Sequence, residues 1–220
     1  MVLSREQIRK RLSLPVSNPE SLVITPLLCE DEVFDADSVD LRLGTHFLLP
    51  RSLNQAFFSP DRSSATSLHT RVHVPLGQYL VVPAHHSILG ATLEFIKLPG
   101  RVSGEILTKS SVARTFILVE TAPWIHPGYR GCLTLEIANV SNMPVLLYPG
   151  RLIGQLVLME VGPDEAEGRD LAQNYFGPVY PEAPKFKNPE EDLFEIGITE
   201  TSILKQVRRR RKDQVWEDDS

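Results

Sequence analysis

The chain has 220 residues, of which 42% are hydrophobic and 23% are charged, and its formal net charge is −5. This composition is typical of one soluble globular domain with appendages, and the acidic balance argues against a surface that binds nucleic acid throughout. No stretch approaches the ~18 consecutive apolar residues of a membrane helix, and the polar first residues are unlike a signal peptide, so we expect a cytoplasmic protein with no membrane partner.

The first residues predict a short helix from about Arg5 to Leu12. Ser4 is followed three residues later by Gln7, which is the spacing of a capping box, and apolar residues recur at helical intervals. Pro15 ends the pattern.

From Leu22 to Val161 the chain consists of short apolar runs separated by Gly, Pro and Asn. The runs are rich in β-branched residues, and their spacing of about 8–12 residues is typical of a β-sandwich or barrel. SVARTF, at Ser111–Phe116, is short enough for a single helical turn or a bend. The chain is therefore predicted to be mainly β.

The composition changes after Val161. Residues 162–193 are rich in Pro, Gly and acids, which predicts an arm that lies on another part of the protein. The last residues predict a short helix around Ser202–Arg211. Arg208–Lys212 is interpreted as a solvated charge cluster, in preference to a patch for nucleic acid or an acidic partner.

Several familiar sites have no counterpart in this sequence. The paired motifs that hold zinc in nucleobase deaminases are absent, and so are the P-loop, GxGxxG and GxSxG. His85 and His86 are adjacent, so on a strand they would face opposite ways. Cys29 and Cys132 lie far apart and are expected to be buried reduced thiols. We expect no metal site built from protein ligands alone.

Two segments carry side chains that could bind or react. TKSSVAR, at Thr108–Arg114, holds two basic residues and two serine hydroxyls in its last six positions, a set that suits a phosphate but is more often a polar turn. In GCLTLEI, alternation places Glu136 on the face opposite Leu133, Leu135 and Ile137. From the pattern alone Glu136 is a surface carboxylate and His126 is a loop residue.

Taken together, five segments resemble the dCTP deaminases of the dUTPase-like superfamily. They are SVDLRLG, ILGATLEFIKLP, KSSVAR, TAPWIHPGYRGCLTLEI and PGRLIGQLVL, in that order along the chain. The resemblance covers most of residues 1–186, as one barrel domain with a C-terminal arm, and it leaves 187–220 as a partly helical or disordered tail. It implies a distorted β-barrel, close to a jelly roll, with a short N-terminal helix.

The resemblance also implies an activity. Members are homotrimers with active sites between subunits, and they deaminate dCTP hydrolytically to dUTP and ammonia without zinc. The Mg²⁺ involved is carried by the triphosphate, and dTTP is a plausible inhibitor. A neighbouring subunit would then cover a strand face that is exposed in a lone chain.

Matched position by position, the resemblance gives roles to individual residues of this chain. Glu136 matches the catalytic base, Ser110 matches a hydroxyl near the reacting base and water, and Arg114 matches the Arg that orients the site. The remaining matches are assigned to substrate binding: Lys109, Ser111, Thr121, Ala122, Trp124, His126 and Tyr175.

Three positions depart from the family pattern. Lys109 stands where Arg is usual, which keeps the charge but loses the bidentate fork. His126 replaces an Asp beside the sugar, which weakens the case for hydrolysis of the triphosphate more than the case for deamination. Tyr175 is kept in the segment that closes over the phosphates, but its usual Lys and Gln neighbours are not.

Two alternatives stay open beside simple deamination. A bifunctional dCTP deaminase and dUTP diphosphatase is one, because Trp124 is similar to the bifunctional members. The other is a non-catalytic nucleotide-sensing module that uses the basic run Arg208–Lys212 for a partner.

Overall fold

A computed structural model describes residues 1–51, 68–119, 123–162 and 177–183. It contains three short helices, α1 (Arg5–Leu12), α2 (Glu30–Val33) and α3 (Ser110–Ala113). The strands are β1 (Val23–Thr25), β2 (Ser38–Arg42), β3 (His46–Pro50), β4 (His69–His73), β5 (Leu80–Val82), β6 (Ser87–Lys97), β7 (Val102–Thr108), β8 (Ile117–Val119), β9 (Trp124–Ile125), β10 (Arg130–Asn139), β11 (Val145–Leu147) and β12 (Leu152–Glu160). The prediction of a mainly β protein is confirmed.

Three antiparallel sheets form the fold. The largest has the order β4-β3-β6-β10-β8, with β1 also paired to β6, and the second has the order β2-β12-β7-β9. A third sheet joins β11 to β5. Strands from opposite ends of the chain are neighbours in the second sheet, since β12 lies between β2 and β7.

One hydrophobic core is shared between the two larger sheets. Leu41 and Leu156 from the second sheet and Ile96, Leu135 and Ile137 from the first are all fully buried in a single cluster. Burying an aliphatic side chain of this size contributes about 1.5–3 kcal/mol. The alternating apolar positions of these strands therefore hold the two sheets face to face.

The N-terminal helix agrees with its prediction. Ser4 caps α1 through a capping box with Gln7. Before the helix, the backbone N–H of Leu3 donates to the carbonyl of Leu158 at 2.8 Å. The backbone N–H of Glu160 donates to the carbonyl of Met1 at 2.9 Å. The beginning of the chain is thus hydrogen-bonded to the end of β12.

One expectation about the cysteines was wrong. Cys132 is buried, as expected, but Cys29 is exposed. Cys29 has φ = 54° and immediately precedes the short helix α2. In the described ranges, no helix is long and apolar enough to cross a membrane. The expected helix at 202–211 lies outside the described residues.

Candidate active site

Glu136 lies on β10, and the two faces of that strand differ. Leu133, Leu135 and Ile137 are buried in the core, whereas Glu136 is exposed. Glu136 pairs with Leu89 on β6, and the next residue, Ile137, begins the pairing with β8. This confirms the alternation read from the sequence, which placed the carboxylate on the face away from the core.

The KSSVAR segment forms α3, a single helical turn between β7 and β8. Ser110, Ser111 and Arg114 are all exposed. The turn closes through hydrogen bonds from the backbone N–H groups of Val112 and Ala113 to the carbonyl of Lys109, at 2.8 and 2.9 Å. Of the two readings left open for this stretch, a helical turn or a bend, the structure has the helical turn, and the segment presents two hydroxyls and one guanidinium to solvent.

Lys109 points into the protein rather than outward with its neighbours. Its ammonium forms an ion pair with the carboxylate of Asp40 on β2. Asp40 lies within the SVDLRLG motif, so the structure joins two of the segments that carried the resemblance. The partner could not be found from the sequence, because the two residues are 69 positions apart.

The TAPWIHPGYRG segment supplies an edge strand and a turn. β9 pairs with β7, placing Trp124 opposite Glu105, and Trp124 is 47% exposed. His126 is exposed, and its carbonyl accepts a hydrogen bond from the N–H of Tyr129 at 3.2 Å. Gly128 has φ = 76°, which a glycine adopts without strain. Thr121, Ala122 and Tyr175 lie outside the described residues.

Residues 177–183 of the predicted arm lie on the large sheet. The N–H of Gly177 donates to the carbonyl of Arg130, and the N–H of Cys132 donates to the carbonyl of Pro178, both at 2.7 Å. A Cβ at Gly131 would lie 2.5 Å from the Pro178 ring, so only glycine fits there. This part of the arm therefore adds a short extended segment beside β10.

Beyond Pro178 the arm crosses the face of the sheet that bears Glu136. The Tyr180 ring lies 4.4 Å from that of His46, which in turn lies 4.6 Å from that of His73. The N–H of Glu182 donates to the hydroxyl of Thr134 at 3.1 Å. Burial lowers the pKa of His46, and the charge of the neighbouring His73 lowers it further.

A second carboxylate, Glu94 on β6, was not identified in the sequence analysis. Glu94 is 2% exposed, and its Oε2 accepts a hydrogen bond from the backbone N–H of Arg42 at 2.9 Å. Burial raises the pKa of Glu94 to about 7, against the opposing effects of the Arg42 amide and guanidinium. Alternation alone did not reveal it, because the opposite face of β6 carries Leu89, Ala91, Leu93 and Phe95 and is the more apolar one in the sequence.

Among the residues that the structure describes, no three His, Cys, Asp or Glu side chains come together in a group that could hold a metal ion.

A protein-family model described as dCTP deaminase-like matches residues 2–161. The chain belongs to the dCTP deaminase-like family. Curated relatives named "dCTP deaminase, dUMP-forming" are 36% identical over 157 residues in Coprothermobacter proteolyticus and 33% identical over 157 residues in Dictyoglomus turgidum. Each match covers 71% of this chain. The matched parts are 80% of the Coprothermobacter protein and 78% of the Dictyoglomus protein.

A solved structure has a similar fold. The 2'-deoxycytidine 5'-triphosphate deaminase from Agrobacterium tumefaciens is 24% identical and gives a TM-score of 0.55. The match covers 73% of this chain and 48% of the Agrobacterium chain, so the chain spans about half the length of that protein. The resemblance to the dCTP deaminase family, first read from the sequence, is thereby confirmed, and the fold is similar to that of a solved dCTP deaminase.

Proposed function

We propose that this protein deaminates dCTP hydrolytically and releases ammonia. Membership of the dCTP deaminase-like family supports the substrate class. The observation that carries the proposal is the placement of Glu136, which is exposed on a strand whose opposite face is rigidly held in the core. A carboxylate in that position can meet a substrate with little movement of its backbone.

In the proposed reaction Glu136 acts as the general base. It takes a proton from a water molecule as the water oxygen bonds to C4 of cytosine, and N3 is protonated as the ring electrons move. A proton then passes to the amino group, the C4–N bond breaks, and ammonia leaves as the C4 carbonyl forms. The product ring is uracil, so atoms and charge balance without an oxidant or reductant.

The proposed assembly is a homotrimer in which a neighbouring subunit covers Glu136. Exposure of the carboxylate in a single chain supports this arrangement, because it leaves the Glu136 side of β10 accessible to a second subunit. Burial under a second subunit would raise the pKa of Glu136 towards neutrality, where a general base is most effective. Ser110 and Arg114 on α3 are proposed to contact the reacting water and Glu136.

The substrate is proposed to be the Mg²⁺ complex of dCTP, with the metal carried by the triphosphate. Ser111 and Tyr175 are assigned to the phosphates, and Trp124 and His126 to the base and sugar side of the site. Lys109, also predicted to bind substrate, has its ammonium paired with Asp40 in the single chain. The exposed α3 supports this assignment, since its hydroxyls and guanidinium are open to a ligand. We propose that dTTP competes with dCTP for this site, which a titration of the deaminase assay with dTTP would test.

A second candidate is a bifunctional enzyme that continues from dUTP to dUMP and pyrophosphate. The names of the relatives in Coprothermobacter and Dictyoglomus favour it, because both are called dUMP-forming. His126 argues against it, since a neutral imidazole cannot supply the carboxylate charge that would hold an attacking water. The two candidates share the first reaction and differ only in the product that accumulates.

One experiment tests both candidates. Purified full-length protein is incubated with dCTP, dCMP, dUTP and Mg²⁺, and ammonia and pyrophosphate are measured in parallel while nucleotides are separated by chromatography. Ammonia with accumulated dUTP supports simple deamination, and ammonia with dUMP and pyrophosphate supports the bifunctional enzyme. Tight binding of dCTP without ammonia release would contradict both and support a nucleotide-sensing module.

A further inference from the structure

The ion pair between Asp40 and Lys109 spans three strands of the second sheet. Asp40 lies on β2 opposite Gln155 of β12, and Lys109 directly follows β7 on the other side of β12. The backbone N–H of Lys109 also donates to the carbonyl of Ile153 on β12 at 3.1 Å. The Lys109 side chain therefore crosses the central strand to reach Asp40.

The pair is largely removed from water. The Asp40 side chain is 7% exposed and that of Lys109 is 25% exposed. Arg42 lies on the same face of β2, but its Nη2 donates to the carbonyl of Leu28 at 3.1 Å. A buried carboxylate is costly without a cation, so loss of Lys109 would leave Asp40 with an uncompensated charge.

The position of Lys109 makes the pair relevant to the proposed site. Lys109 is the residue before α3, and its carbonyl accepts two of the backbone hydrogen bonds that close the turn. A four-residue helix cannot fix its own direction, because it contains too few internal hydrogen bonds. The direction of α3 therefore depends on how Lys109 is held.

We propose that Asp40 is a positioning residue for the triphosphate. Acting through Lys109, it fixes the start of α3, so that Ser111 and Arg114 face a nucleotide in one arrangement. This inference rests on the proposed dCTP site, and it adds to that site a residue on a different strand. Asp40 itself is too deeply placed to meet the substrate.

The second oxygen of Asp40 gives the inference a further test. In the part of the chain that the structure describes, Oδ1 of Asp40 is buried and has no hydrogen-bond donor. An ammonium is a point charge, whereas a guanidinium can donate to both carboxylate oxygens at once. Lys109→Arg would supply a donor for Oδ1 and should bind dCTP better than Lys109→Met, but only while Asp40 is present.

The experiment compares full-length wild type with Asp40→Asn in the ammonia-release assay. Two quantities are measured, the KM for dCTP and the inhibition constant of dCMP, which has one phosphate. We expect Asp40→Asn to raise KM about tenfold, the effect of one charge-assisted contact, and to change the dCMP constant less than about twofold. Glu160→Gln is the matched control, since Glu160 lies on the same sheet in an ion pair with Arg11.

A double variant separates positioning from a general loss of stability. If Asp40 acts through Lys109, adding Asp40→Asn to Lys109→Met should change KM little further. Equal loss for dCTP and dCMP, a similar loss in Glu160→Gln, or fully additive effects in the double variant would each overturn the inference. Wild type that releases no ammonia and binds no dCTP would instead overturn the proposed function together with this inference.

Discussion

Glu94 should make the folded protein less stable as the pH rises. Its carboxyl is 2% exposed in the centre of β6, and burial raises its pKa from 4.5 to about 7. The unfolded carboxyl ionises at the lower value, so between the two values the folded state keeps a proton that the unfolded state has lost. The stabilisation is fully present below the unfolded pKa and is lost as the pH rises through the folded pKa.

The size of the effect follows from the difference between the two pKa values. A shift from 4.5 to about 7, at 1.36 kcal/mol for each pH unit, is worth up to about 3 kcal/mol of unfolding free energy. Glu94→Gln removes the titration but keeps a carbonyl that can accept the hydrogen bond from the Arg42 amide. The variant should therefore lose much less stability than wild type between pH 5 and pH 8.

Urea unfolding followed by circular dichroism, at one protein concentration and at both pH values, measures this difference. Other groups also titrate in this range, so the informative quantity is the change in wild type minus the change in Glu94→Gln. Glu160→Gln is the control, because the Glu160 side chain is 48% exposed. If wild type and Glu94→Gln lose the same free energy between pH 5 and pH 8, the buried carboxyl does not titrate as described.

Three further predictions concern the site and the arm. Glu136→Gln should lower kcat for ammonia release at least ~10²-fold, the effect of removing a general base; unchanged turnover would refute its role as base. Gly131→Ala should cost about 1–3 kcal/mol in thermal unfolding, because its Cβ would lie 2.5 Å from Pro178, whereas Gly100→Ala, with nothing within 4 Å, should be nearly neutral. His126→Asp should increase the ratio of dUMP to dUTP seen by chromatography, and an unchanged ratio would count against His126 as the reason for any missing second step.

Local patterns predicted the elements of this fold well. The capping box at Ser4 gives α1 its starting point, and alternation along β10 gives the two faces that separate Glu136 from the core. Both depend on residues only a few positions apart. The short helix α2 was not predicted, because its sequence EDEV has no apolar stripe.

Pairing between distant parts of the chain could not be predicted from local sequence patterns. Nothing in the sequence states that β12 separates β2 from β7, or that Lys109 meets Asp40 across it. Glu94 could not be found from local patterns either, because the opposite face of β6 carries Leu89, Ala91, Leu93 and Phe95 and is the more apolar one in the sequence. Its burial depends on which face of β6 the second sheet covers, which is again a long-range property.

The central place of β12 also sets when this chain can fold during synthesis. The strand β2 at Ser38–Arg42 pairs with β12, whose residues leave the ribosome long after those of β2, and the first residues of the chain bond to Leu158 and Glu160. The second sheet therefore has no central strand until residue 160 is available, and the edges of β2 and β7 stay open until then. Such late, non-local closure favours slow folding and exposes nascent strands to pairing with other chains.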